Sequence, residues 1–136
     1  MLRDEIRRCM QGLSSDGNGH LSARFVFPDT FIGFQGHFPG NPVLPGLCTI
    51  QAVLVMLESS RKRQPLLQHM INIKFLSMVR PDSVLQFESS VSNDDSGCNV
   101  VKTAVSCNGS RIAQISLQVR FDGASVEGAG HGNPKN

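Results

Sequence analysis

One stretch near the middle of the chain limits the folds open to it more than any other feature. Residues 46–61, GLCTIQAVLVMLESSR, predict a long helix that is apolar on nearly every side. Basic residues at its end suit the C-terminal dipole, and Pro65 prevents the helix from continuing. Because a helix of this kind must be covered on more than one side, the rest of the chain has to wrap around it.

The segments around this helix alternate with period two and therefore predict strands with one buried face. One such segment, Leu21 to Phe27, precedes the helix, and four follow it over residues 71–75, 85–91, 101–107 and 115–121. One strand, one buried helix and four consecutive antiparallel strands form an α+β pattern. The natural solution is an antiparallel sheet curled around a long central hydrophobic helix, which is the hotdog fold.

The 136 residues suit a single domain, which we place at residues 1–121. Five apolar residues between Leu2 and Leu13 share one helical face, so a short N-terminal helix is predicted over residues 2–13. Residues 28–45 carry four prolines and three glycines and predict an ordered loop. Residues 122–136 are Gly-rich without periodicity and predict a flexible tail.

Several classes of protein do not fit the composition. The net charge of +2 is too small to indicate nucleic-acid binding, and the longest uninterrupted apolar run, Ala52 to Leu57, is far too short to span a membrane. The charged N-terminus lacks the apolar region of a signal peptide. The four cysteines have no metal-ligand spacing, so we expect reduced thiols in a cytoplasmic protein without metal or cofactor.

The loop before the long helix has the residues for proton transfer. In GHFPGNPVLPGL, residues 36–47, the prolines hold His37 in place, and the pKa of a histidine lies near working pH, so His37 can act as a base. Gly46 opens the helix, and its N–H at the positive dipole end can bind an oxygen that gains negative charge. The alternative is a loop histidine without a role.

This loop, followed by an apolar helix, resembles the active-site motif of the 3-hydroxyacyl-acyl-carrier-protein dehydratases of fatty-acid synthesis. INIKFLSMVRPDSVLQFESSV, residues 71–91, resembles the strand pair that follows in that family, although the usual glycine of its turn is missing at residues 80–82. The resemblance covers about residues 18–121. It implies that His37 is catalytic, that the N–H groups of Phe38 and Gly46 bind the thioester carbonyl, and that Pro45 adjoins them in the substrate site.

Position 51 departs from the family pattern. The family carries a Glu or Asp there, an acid that works in the active site of the partner subunit, whereas this chain has Gln51. An amide can hold a hydroxyl but cannot release a proton. A carboxylate in an apolar channel would have a raised pKa and could act as an acid near neutral pH. We therefore expect Gln51→Glu to speed dehydration about 10-fold or more.

Three functions therefore stay open. The first is a dehydratase in which His37 makes both proton transfers while Gln51 orients the substrate. The second is a non-catalytic acyl-binding subunit of a heterodimeric dehydratase, and the third is a thioesterase. The expected partners are an acyl carrier protein or coenzyme A thioester and a second subunit, in a homodimer, a higher homo-oligomer or a heterodimer, with neither nucleic acid nor membrane. A basic run at residues 61–63 suits an acidic carrier protein.

Overall fold

The structure, a computed structural model, describes residues 2–35, 40 and 42–125, and the side chains of residues 123–125 are not described. Within these residues no helix is long and apolar enough to cross a membrane. The elements in chain order are helix α1 (Leu2–Arg8), strands β1 (Met10–Ser15) and β2 (His20–Val26), a 3-10 turn (Ile32–Phe34), helix α2 (Gly46–Arg61), and strands β3 (Arg63–Phe75), β4 (Val84–Asn93), β5 (Asn99–Cys107) and β6 (Ser110–Ser125).

The strands form one antiparallel sheet of six strands in the order β1-β2-β4-β5-β6-β3. The predicted α+β hotdog fold is confirmed: the long helix lies against the inner face of this sheet. Strands β5 and β6 are joined by a two-residue hairpin turn, in which Asn108 and Gly109 are both at positive φ, 52° and 81°.

Helix α2 forms the centre of the core. Pro45, which is extended, precedes its first residue, and Lys62 ends it in the left-handed conformation with its N–H donating to the carbonyl of Glu58 at 2.8 Å. Its buried residues are Cys48, Thr49, Ile50 and the run from Ala52 to Leu57. Phenylalanines of the sheet and of the loop after β2 belong to the same core. Two of them, Phe25 on β2 and Phe87 on β4, pack against each other with ring centroids 4.7 Å apart.

The prediction of a helix over residues 2–13 is wrong beyond Arg8. Helix α1 ends there, and Met10–Ser15 forms β1, which pairs with β2. Gly12 has φ +62° at an irregularity in this pairing, a conformation that favours glycine. The apolar residues match a helical face by spacing, but hydrogen bonds to β2 decide the conformation.

The prediction of a flexible tail from residue 122 is wrong for its first residues. Strand β6 continues to Ser125, because β3 begins at Arg63 and offers backbone partners along its whole length. The Arg63 side chain also donates from Nε to the carbonyl of Asp122 at 2.7 Å. Residues 126–136 lie outside the described residues, so the rest of that prediction is not addressed.

Candidate active site

The first turn of α2 is the best-defined part of the candidate site. The N–H of Cys48 donates to the carbonyl of Pro45 at 2.9 Å, which closes the turn. The N–H groups of Gly46 and Leu47 have no acceptor within the helix, because the first turn of any helix leaves its donors unpaired. These donors stand at the positive end of the helix dipole, where an oxygen that gains negative charge is stabilised.

A neighbouring side chain lies close against Gly46. A Cβ built on Gly46 would lie 2.6 Å from both Cε2 and Cζ of Phe75, the last residue of β3. From the sequence, Gly46 is expected only to offer its N–H to an oxygen at the helix start. In the structure the atoms that come closest belong to the Phe75 ring, so glycine lets this ring lie against the start of the helix.

An apolar groove of about 350 Å³ opens at the same place. The start of α2 forms one wall, and residues 75–79, which begin with the last residue of β3, form the other. The N–H of Leu44 donates to the carbonyl of Val79 at 2.8 Å and so ties the end of the motif loop to the second wall. Four apolar side chains at this groove and helix start are exposed, namely Leu47, Phe75, Leu76 and Met78.

Gln51 does not line this groove. Five residues along a helix rotate a side chain by about 140°, so Gly46 and Gln51 point to different sides of α2. The half-buried Gln51 instead faces α1, where its Oε1 accepts a hydrogen bond from Nε of Arg3 at 2.8 Å. Within one chain, therefore, the structure does not bring these two predicted site residues together.

Of the other predicted site residues, Pro45 caps the helix beside the groove, whereas His37 and Phe38 lie outside the described residues. The nearby Cys48 is 4% exposed, and burial raises the pKa of its thiol, so it acts as a small apolar residue rather than a nucleophile. Among the described residues there is no cluster of three or more His, Cys, Asp or Glu side chains that could hold a metal ion.

Two residues of this region were missed by the sequence analysis. Phe75 looked like an ordinary inward-facing strand residue, and only the tertiary approach of β3 to Gly46 gives it a position at the groove. Arg3 belonged to the polar face of the N-terminal helix. Arg3 and Arg7 are four residues apart, so they share one face of α1, but no sequence signal shows that this face meets α2.

The six-stranded sheet around a buried helix, with a groove at the helix start, defines this chain as a hotdog-fold protein. A profile of the ApeI-like family, described as ApeI dehydratase, matches residues 14–119. The chain belongs to this family of dehydratases.

Individual proteins agree with that assignment. The chain is 29% identical over 91 residues to the 3-hydroxyacyl-[acyl-carrier-protein] dehydratase FabZ of Clostridium acetobutylicum, covering 62% of this chain and 64% of the relative. It is 34% identical over 96 residues to FabZ of Caldicellulosiruptor saccharolyticus, covering 65% and 64%. The aligned part thus spans less than two thirds of these relatives. Among solved structures, the dehydratase heterocomplex ApeI:P from Xenorhabdus doucetiae shares the fold, with TM-score 0.67, 15% identity and coverage of 82% of this chain and 96% of that one.

Proposed function

We propose that this protein is a hydro-lyase that removes water from a 3-hydroxyacyl thioester carried by an acyl carrier protein. The observation that carries the proposal is the start of α2, where the N–H groups of Gly46 and Leu47, which have no acceptor within the helix, adjoin an apolar groove of about 350 Å³. Such a site can hold a thioester carbonyl at the helix start and an acyl chain along the groove.

The reaction would need one base and one polarised carbonyl. His37 takes the proton from the carbon beside the thioester carbonyl, and the N–H groups of Phe38 and Gly46 hold the carbonyl oxygen as it gains charge. The electron pair then forms the carbon–carbon double bond while the C–O bond to the hydroxyl breaks. The imidazolium of His37 returns its proton to the departing hydroxyl, which leaves as water, and Gln51 orients that hydroxyl.

Two copies of the chain would complete the site, because Gln51 points away from the groove of its own chain. The two edges of the sheet differ. Strand β1 has six residues, two of them the polar Ser14 and Ser15, whereas β3 has thirteen residues and exposes Met70, Ile71 and Phe75 at 51%, 49% and 48%. A long edge with exposed apolar side chains favours pairing with another strand. We therefore place the contact between copies at β3.

The carrier protein would approach the groove end of α2. The basic run at residues 61–63 lies at the opposite end of this helix, roughly 24 Å away along its axis, and the Arg61 guanidinium stacks over the Phe121 ring at 4.8 Å from its centroid. Lys74 and Arg80, in contrast, flank the wall formed by residues 75–79 in the sequence. These two residues are the better candidates to attract the acidic surface of a carrier protein.

The test is formation of the enoyl thioester from a 3-hydroxyacyl carrier protein, followed by mass spectrometry as the loss of one water. We expect His37→Ala to lower turnover by about 10²-fold or more, the usual effect of removing a general base. The matched control is His20→Ala, which removes an exposed histidine of β2. Activity that survives His37→Ala would contradict the proposal, and release of free acid would instead indicate a thioesterase.

One observation favours a second candidate, an acyl-binding subunit without turnover of its own. An amide stands at position 51, where the resemblance implies an acid, and its oxygen is bonded to the guanidinium of Arg3. Binding of the 3-hydroxyacyl thioester without release of water, together with turnover after addition of a catalytic partner subunit, would support this candidate.

A further inference from the structure

The N-terminal helix α1 is fixed on the central helix by three contacts. Ile6 is fully buried and anchors α1 in the core. On one side of it, Arg3 donates from Nε to Oε1 of Gln51 at 2.8 Å. On the other side, Arg7 donates from Nη2 to Glu58 at 3.3 Å. The Arg3 guanidinium therefore belongs to a docked helix and is held beside position 51.

The bond from Arg3 decides which way the Gln51 amide points. A guanidinium only donates hydrogen bonds, so the amide oxygen must face it. The amide nitrogen with its two N–H groups is turned to the other side, and within the described residues it has no hydrogen-bond partner. Gln51 thus offers two N–H donors on the side away from Arg3, while its oxygen already accepts one bond.

We propose that Arg3 is a positioning residue of the dehydratase site: it holds Gln51 so that the amide NH2 donates to the hydroxyl oxygen of a 3-hydroxyacyl substrate. This inference rests on the proposed function and adds a residue to it. A hydroxyl oxygen that leaves as water gains negative charge as its C–O bond breaks, so a held N–H donor stabilises the transition state more than the ground state.

The same contact changes what a carboxylate at position 51 would do. The expectation that Gln51→Glu speeds the reaction assumed an apolar surrounding without cations. A guanidinium within hydrogen-bond distance favours the ionised carboxylate and lowers its pKa, so the carboxyl introduced by Gln51→Glu would not be a proton donor near neutral pH. The other charged groups at the interface of the two helices are already paired, since Arg7 binds both Asp4 and Glu58.

The experiment uses the full chain with Gln51→Glu, Arg3→Met, and both changes together, with Arg7→Met as the matched control on the same helix. The pKa of the new glutamate is measured by carbon NMR. We expect it below the ordinary value of about 4.3 in Gln51→Glu and above that value in the double variant, where a half-buried carboxyl has lost its cation. Equal pKa values in the two backgrounds would overturn the contact and the proposal with it.

Turnover is measured on the same proteins. We expect Arg3→Met to lower kcat about 10-fold with little change in KM, Arg3→Lys to recover part of this loss, and Arg7→Met to have little effect. The double variant should exceed both Arg3→Met and Gln51→Glu, because only there can position 51 act as an acid. Equal losses in Arg3→Met and Arg7→Met would reduce Arg3 to a structural residue and overturn the proposal.

The pKa of the introduced glutamate and the turnover test the role of Arg3 and the proposed function separately. In one outcome, the wild-type protein shows no turnover while the two carboxyl pKa values differ as expected. That result would overturn the proposed function and the positioning role of Arg3, but it would leave the contact between Arg3 and position 51 established. Wild type with turnover that is insensitive to Arg3→Met would overturn the positioning role alone. If Arg3→Met does not fold, Arg3→Gln makes the same comparison, because it removes the cation and retains a side chain that fills the space beside α2.

Discussion

At the scale of single residues, the contact between Gly46 and Phe75 lies at the start of α2, where the proposed function needs an oxygen-binding site. The absent side chain of Gly46 admits the Phe75 ring, which is itself 48% exposed and forms part of the groove. An aromatic ring at this place forms part of the groove wall beside the start of the helix. The proposed function places the thioester carbonyl at this helix start, so the ring would lie next to the bound thioester.

A double-mutant cycle tests this contact. Gly46→Ala should destabilise the wild-type chain by about 1–3 kcal/mol, because the new methyl group would overlap the Phe75 ring. In the Phe75→Ala background the same change should cost less than about 0.5 kcal/mol, since alanine suits a helix better than glycine does. The measurement is urea unfolding of the four proteins. Equal costs in both backgrounds would show that the ring does not occupy this space.

The candidate site could be predicted from the sequence only where its residues belong to a local motif. Gly46 and Gln51 have positions fixed by the helix on which they stand, and the helix follows from its own apolar pattern. Arg3 and Phe75 reach the same region from the N-terminus and from β3, so their roles depend on how α1 and the sheet pack on α2. The contact between Arg3 and Gln51 could not be predicted from the sequence, and it is the reason for the revised expectation about Gln51→Glu.

At the scale of elements, local signals and tertiary partners explain which predictions held. The central helix and the Asn108-Gly109 hairpin are encoded within a few neighbouring residues, and both are present. Strand β1 and the end of β6 carry weak or contrary signals of their own. They become strands because β2 and β3 supply backbone partners, which neither spacing nor composition reveals.

The turn between β4 and β5 contains a carboxylate held by several donors. Oδ1 of Asp94 accepts bonds from the N–H groups of Ser96 and Cys98 at 2.9 and 3.0 Å, and from the Ser96 hydroxyl at 2.7 Å. Oδ2 accepts a bond from Nε2 of Gln118 on β6 at 3.0 Å. These bonds, that from Gln118 first, lower the pKa of Asp94 to about 2, so the carboxylate ties the turn to the neighbouring strand.

A pH dependence of stability follows from this turn. The pKa of Asp94 lies below its value of about 3.9 in an unfolded chain, so ionised Asp94 stabilises the fold above that value. The stabilisation is lost as the pH falls through about 2. We expect Asp94→Asn to lower the melting temperature near neutral pH and the difference from wild type to disappear in strong acid. Asp95→Asn in the same turn is the control, and an equal effect of both changes would contradict the assignment.

At the scale of the whole molecule, the fold leaves the proposed functional groups in two places. The groove at the start of α2 offers N–H donors and apolar walls, and Gln51 stands on another side of the same helix against α1. The sheet ends in a long edge, β3, whose exposed Met70 and Ile71 are poorly suited to water. Pairing of two copies along this edge would cover apolar surface and bring the groove of one copy toward the second.

Mixing two inactive variants tests this account most directly. His37→Ala and Gln51→Ala are each purified, assayed for enoyl-thioester formation from a 3-hydroxyacyl carrier protein, and then mixed under conditions that exchange subunits. If His37 of one copy works with Gln51 of the other, each mixed dimer has one intact site out of two. Because random exchange makes about half of the dimers mixed, the mixture should regain about a quarter of wild-type turnover, while each variant alone stays far below it. A mixture no more active than its components, next to an active wild type, would contradict a site shared between two copies.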